Sequence, residues 1–205
     1  MKRLAILGAS GHGKVVADTA LASGWQSISF FDDCYPAKTQ NGRWPIVGSS
    51  QELVDQYRAF DGVVVAIGDN AARWKKFCEL RNAGATMATI VHPHAWISPH
   101  AKLGAGTIIV AGAIVNIDAY IGEACIINTG ATIDHDCVLG NAIHVSPGAN
   151  LSGNVAIKDG SWIGAGSCIR QGIVIGADVT VGCGSVVVKP VENGKTVAGC
   201  PASEL

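Results

Sequence analysis

An aliphatic residue recurs at every sixth position through the second half of the chain. Ile97, Leu103, Ile109, Val115, Ile121, Ile127, Ile133 and Leu139 fall in one register, and Val145, Leu151, Ile157, Ile163, Ile169, Ile175, Val181 and Val187 continue it without a gap. Four positions after the aliphatic residue, slim residues dominate: Ala101, Thr107, Ala113, Ala119, Cys125, Ala131 and Cys137. A half-buried strand would alternate with period two, and a sandwich would add a turn about every 8–12 residues. Neither fits. The pattern is that of a solenoid in which each hexapeptide makes one short flat strand and one corner. The aliphatic residue fills the interior of a three-walled prism, and the slim residue fits beside it where walls converge. Gly and Asn serve corners that need positive φ. Three hexapeptides close a coil, so the register spans about five coils stacked at about 4.8 Å.

The first half follows another rhythm. Arg3–Leu7 is a short apolar run ending at Gly8, and residues 14–22 carry helical spacing. Ser27–Phe31 reads as a strand, 50–57 as a helix capped by Ser49 or Ser50, and 62–67 as a strand. Residues 71–82 read as a helix stopped by Gly84, and 86–91 as a last strand. Alternating strands and helices predict a parallel sheet. Its size suits one mononucleotide-binding half of a doubly wound fold. The expected organisation is a Rossmann-like α/β half-domain over 1–91 and an all-β parallel β-helix over 92–205 with a C-terminal tail.

Hydrophobic residues make up 48% of the chain and charged ones 15%, enough apolar content for a real core. A net charge of −1 argues against an extended basic surface and hence against a nucleic-acid partner. The seven cysteines show no C-x-x-C or other zinc-ligand spacing, so no metal is expected. Their odd number suits reduced thiols in a cytoplasmic protein. The N-terminal apolar run breaks at Gly8, too early for a signal segment or a membrane span.

Two histidines lie within the repeats. His135 stands in Thr132-Ile133-Asp134-His135-Asp136-Cys137, an imidazole between two carboxylates. A carboxylate bonded to one ring nitrogen fixes the tautomer and raises the basicity of the other, which suits a general base. A solvated loop corner would look similar. His144 follows nine residues later, half a coil on, and so faces another direction. The two converge only if a neighbouring subunit brings its own face alongside, and closed three-fold assembly would do this. In the first half, Gly8-Ala9-Ser10-Gly11-His12-Gly13 joins the first strand to the first helix, where backbone N–H groups can cradle phosphate. Asp32 and Asp33 end the next strand, suited to a ribose or to the ring N–H of uracil, and Gly68 belongs on the same sheet edge.

Together these features resemble the sugar-modifying acetyltransferases that join a small nucleotide-binding domain to a left-handed β-helix. The best-matched branch is the nucleotide-activated amino-sugar N-acetyltransferases, such as those of bacterial bacillosamine pathways. Perosamine and viosamine N-acetyltransferases and sialate O-acetyltransferases look related. The resemblance is carried by the Gly-rich loop, Ala66-Ile67-Gly68-Asp69-Asn70, Ile127-Asn128-Thr129-Gly130, Asp134-His135-Asp136-Cys137, His144-Val145-Ser146 and Gly199-Cys200-Pro201-Ala202. It implies acetyl-CoA as co-substrate, no metal, and a homotrimer with interfacial sites. It implies His135 as general base supported by Asp136. His144, Gly153, Ala165 and Cys183 would contact acetyl-CoA. Ser10, Gly11, His12, Asp32, Asp33 and Gly68 would hold the nucleotide sugar. The implied acceptor is the amine of a nucleotide-linked 4-amino-4,6-dideoxy sugar, UDP-linked by preference, used in glycan or glycoprotein synthesis. O-acetylation of a sialic acid and non-catalytic sugar-nucleotide binding are the alternatives. Asp136 stands where some relatives carry Glu, so Asp134 competes to orient His135. Cys183 and Cys200 replace the Gly or small apolar residues common near the CoA tail.

Overall fold

The computed structural model describes residues Met1–Leu205. The α/β unit opens with β1 (Arg3–Leu7), α1 (Gly11–Ala22) and β2 (Ser27–Phe31). A short hairpin follows, β3 (Gln40–Asn41) and β4 (Trp44–Gly48), then α2 (Ser50–Gln56), β5 (Gly62–Val65) and α3 (Asn70–Asn82). The sheet order is β3-β4-β2-β1-β5; β4, β2, β1 and β5 run parallel to one another, and β3 pairs antiparallel with β4. Successive residues of β1 serve opposite faces. Leu4 and Ile6 pack with Val16, Ala17 and Ala20 of α1, while Ala5 and Leu7 pack with Leu53, Phe77 and Leu80 of the other helices.

The β3–β4 hairpin has no counterpart in the sequence reading. Pro45 interrupts its apolar run and argues against a strand, yet β4 pairs with β2 on one side and with the edge strand β3 on the other.

The repeats form a three-walled parallel β-helix. The first wall stacks Ile108–Ile109, Ile126–Ile127, His144–Val145, Trp162–Ile163 and Thr180–Val181. The second stacks Trp96–Ile97, Ile114–Val115, Thr132–Ile133, Asn150–Leu151, Cys168–Ile169 and Val186–Val187, and the third runs from Lys102–Leu103 to Val174–Ile175. In each rung the second residue points inward. These residues and the slim ones form one continuous core, in which Cys125 and Cys137 are fully buried.

The strand expected over 86–91 divides between the two units. Met87 bridges to Val63 of the α/β sheet, whereas Ile90–Val91 pairs with Ile108–Ile109 as the first rung of the first wall. The β-helix therefore begins before the expected boundary at residue 92. Val91 stands six residues before Ile97, already in register, and packs against the prism core.

The α/β unit lies on the first wall. The outward residues Ile90, Ile108 and Ile126 are fully buried because they join the α1 face of the sheet in one apolar cluster. Burying each such side chain contributes roughly 1.5–3 kcal/mol. No helix is long and apolar enough to cross a membrane.

Candidate active site

His135 occupies the corner between the second and third walls, the vertex opposite the wall that carries the α/β unit. At this vertex the chain turns through left-handed residues spaced one coil apart, Asp118, Asp136 and Asn154, types that tolerate positive φ. The turn at Asp136 brings its carboxylate back to the preceding ring, with Oδ2 2.7 Å from His135 Nδ1. Asp134 is engaged elsewhere. Its Oδ1 accepts from the His135 backbone N–H at 2.8 Å and from Asn116 Nδ2 at 3.0 Å. Asp136 therefore holds the imidazole and Asp134 holds the backbone beneath it. The Asp136 hydrogen bond, aided by the charge of Asp134, raises the His135 pKa above its ordinary value. The ring is half-exposed, and its Nε2 has no partner within the chain.

Gly153 lies one coil above His135, directly against the ring. Ala165 and Cys183 stack one coil apart at a different corner, between the first and second walls. Cys137, two residues after His135, points into the prism, where burial raises its thiol pKa and removes it as a nucleophile.

On the α/β side, Ser10 N-caps α1 and Gly11 and His12 begin it. The Gly-rich loop is clamped by its neighbours. Asp32 accepts from the backbone N–H of Ala9 at 2.6 Å and of Cys34 at 3.0 Å. Lys38 Nζ donates to the Ala9 carbonyl and Asn41 Nδ2 to the Ser10 carbonyl. The unforeseen hairpin thus supplies a support for the loop. Asp33 Oδ1 accepts from the Ser50 N–H at the start of α2, and the Ser50 side chain also supports this carboxylate. Desolvation opposes ionisation of Asp32, but the hydrogen bonds outweigh it, and both carboxyls lie below their usual range.

Between the two units lies a cleft of about 420 Å³, lined by Gly68, Asp69, Asn70, His144, Trp162 and Thr180 among others. His144 is outward-facing on the first wall, so it belongs to this cleft and not to the corner of His135 in the same chain. Its ring stacks on Trp162 at 5.7 Å between centroids, and its Nε2 lies 3.3 Å from Asn128 Nδ2. His12 faces it at 6.4 Å. The Trp162 indole N–H donates to Ser146 Oγ at 2.7 Å, so the ring is fixed while nearly half of its surface remains open to the cleft.

The family described as the PglD N-terminal domain matches residues 3–80. The curated UDP-N-acetylbacillosamine N-acetyltransferase of Bacillus subtilis (strain 168) is 37% identical over 115 residues, which are 54% of this chain. That match spans only about half, 52%, of the enzyme's own length. The acetyltransferase domain of PglB from Neisseria gonorrhoeae FA1090, solved in complex with acetyl coenzyme A, is 39% identical with a TM-score of 0.96, covering 100% of this chain and 99% of that one. PerB from Caulobacter crescentus, solved with CoA and GDP-perosamine, is 35% identical with a TM-score of 0.94, covering 100% of this chain and 98% of that one. The chain belongs to the left-handed β-helix sugar N-acetyltransferases.

In this family member the cleft is organised by Arg73, a residue with no motif signal in the sequence. Arg73 is completely buried in α3. Its Nε donates to the Ala124 carbonyl and Nη2 to the Ala142 carbonyl, both on the β-helix. Nη1 donates to the carbonyls of Ile67 and Gly68, and Nη2 also to Asn70 Oδ1. Asn70 in turn donates to the Gly160 carbonyl at 2.8 Å. One guanidinium therefore ties the Gly68 loop to two turns of the solenoid. The carbonyls it holds belong to left-handed alanines, with φ 54° at Ala124 and 53° at Ala142. Desolvation lowers the Arg73 pKa to about 10, so it stays cationic at neutral pH.

Burial, with the Arg73 charge second, depresses the pKa of His12 to about 4 and of His144 to about 3. Both rings are neutral at physiological pH. Their folded pKa values lie below the unfolded value near 6.5, so their contribution to stability is present above that pH and is lost as pH falls through the window below it. Acidification from about pH 7 to pH 5 is expected to cost about 2 kcal/mol per histidine. Urea unfolding at the two pH values reads this directly, and an unchanged midpoint would contradict it.

Proposed function

We propose that the chain transfers the acetyl group of acetyl-CoA to the amine of a nucleotide-linked 4-amino-4,6-dideoxy sugar, UDP-linked by preference. The observation that carries this reading is the His135–Asp136 pair. Asp136 fixes Nδ1, which leaves Nε2 as a proton acceptor at an open corner. The sugar amine attacks the thioester carbonyl and Nε2 takes its proton. The C–N bond forms, the C–S bond breaks, and the sulfur leaves to become the CoA thiol. The Gly153 N–H makes no hydrogen bond within the chain and is available to the developing oxyanion.

The α1 N-terminus with Ser10, Gly11 and His12 would receive the diphosphate. The Asp33 carboxylate would accept the uracil N–H, and Asp32 would shape the loop around it. Gly68 and His144 would line the path of the sugar toward the acetyl group. Ala165 and Cys183, stacked along one corner with N–H groups that make no hydrogen bond in the chain, would follow the pantetheine. The CoA complexes of PglB and PerB, the GDP-perosamine in PerB, and the UDP-linked substrate named for the Bacillus subtilis enzyme support this choice of substrates.

His135 sits at the vertex opposite the nucleotide wall, so it cannot serve the cleft of its own chain. A homotrimer would bring each corner to a neighbour's cleft. Exposed apolar side chains on the second and third walls, Ile114, Tyr120, Val138 and Val174, with Ile117 at their corner, offer a surface for such packing. Sedimentation at three times the chain mass is expected, and a monomer would contradict the arrangement.

A thiol-release assay with acetyl-CoA and a panel of UDP-, dTDP- and GDP-linked 4-amino-4,6-dideoxy sugars, plus free sialic acid, tests the reaction. Fast release with a UDP-linked amino sugar is expected. Release with sialic acid alone would make the chain an O-acetyltransferase, and the absence of release with every acceptor would make it a binding protein.

A further inference from the structure

We propose that Gly153 is a positioning residue whose missing side chain forms the seat of the His135 imidazole. The proposal deepens the acetyl-transfer reading and rests on it for its kinetic part only. A Cβ placed on Gly153 would lie 2.5 Å from both Cε1 and Nε2 of His135 and 3.1 Å from Nδ1. These three ring atoms are the nearest neighbours such a carbon would meet.

Backbone conformation does not explain the glycine. Gly153 is absent from the positive-φ residues, unlike Gly148 or Gly166 nearby. The same corner position in other coils carries a full side chain, Ile117 and His135 below and Gln171 above. Position 153 alone in this column has none, and it is the position against which the ring lies.

The consequence is geometric. The imidazole is bracketed by Asp136 on Nδ1 and by the bare backbone of Gly153, one coil above, against Cε1 and Nε2. The proton acceptor and the free Gly153 N–H then share one small region, so an amine and a thioester carbonyl can be held together there. A methyl group would push the ring away by roughly 1 Å to reach ordinary contact, and misplacement on that scale costs about 10²-fold in rate. Alanine keeps the backbone N–H, so the substitution separates the seat from any oxyanion role.

The test is Gly153→Ala in the full-length protein. The expected result is a fall in kcat of about 10²-fold with little change in the KM for acetyl-CoA. NMR titration of the His135 ring without substrates should move toward the ordinary histidine value as the contact with Asp136 loosens. In a His135→Ala background the same substitution should leave the unfolding midpoint unchanged, because the atoms it would meet are gone. An unaltered His135 titration, or an equal loss of stability with and without the His135 ring, would overturn the proposal. The NMR and stability readouts need no acceptor, so they decide the seat even if the transfer assay fails.

Discussion

His135→Ala is expected to lower kcat by about 10²–10⁴-fold while leaving the unfolding midpoint near that of the parent chain. The ring is half-exposed and its only side-chain partner is the exposed Asp136, so its removal opens no cavity in the prism. The chemistry loses its proton acceptor. Asp136→Asn makes a graded version of the same test. The Asp136 hydrogen bond raises the His135 pKa, so kcat/KM of the parent should fall on the acid side of a limb lying above about 6.5. The Asn variant loses that support, its limb moves to lower pH, and its plateau drops. Full activity in His135→Ala would end the role of this residue as base.

Arg73→Met is expected to destabilise the fold by about 3–5 kcal/mol. The substitution keeps much of the buried volume but strips the donors from the carbonyls of Ala124, Ala142, Ile67 and Gly68 and from Asn70. Buried carbonyls left without partners cost about 1–3 kcal/mol each, partly relieved by water or local movement. Two of them belong to alanines in the left-handed region, which have the least backbone reason to stay where they are. Chemical denaturation measures the loss. A second readout is the titration of His12 and His144, which should rise once the neighbouring cation is gone. A loss below about 1 kcal/mol would mean that the apolar contacts of the first wall alone hold the two units together.

The β-helix was legible because its cause is strictly local. One inward aliphatic residue per rung produces the period of six, and the same residues, from Ile109 to Val187, fill the core. The parallel strands β1, β2 and β5 were legible as apolar runs ending at turns. The hairpin was hidden because Pro45 and Trp44 obscure its pattern. The first rung, Ile90-Val91, follows the α/β segments without a break in composition and so reads as their last strand, although the spacing of Val91 to Ile97 carries the signal of the repeat.

In the site, His135 stood out because a histidine between two aspartates is a local pattern. The division of labour between Asp134 and Asp136 was not readable, since it depends on the left-handed turn at Asp136. Arg73 and Trp162 were missed for one physical reason. Arg73 sits in a helix among Lys75, Lys76 and Arg81 and looks like one more surface cation. Trp162 looks like any outward rung residue. Their partners, Ala124, Ala142 and His144, are distant in sequence or belong to the next coil, so only the docking of the two units reveals them.

The division of each site between two subunits is tested most directly by co-expressing two inactive variants. His135→Ala leaves the cleft intact. Gly68→Trp fills the cleft, and an added Cβ at Gly68 meets nothing within 4 Å, so the fold should accept it. Random assembly in equal amounts should place an intact cleft against a neighbour's intact His135 in one site of each mixed trimer, about a quarter of all sites. Recovery of about that fraction of parental transfer activity is the expected result, and a mixture as inactive as either variant alone would contradict the shared site.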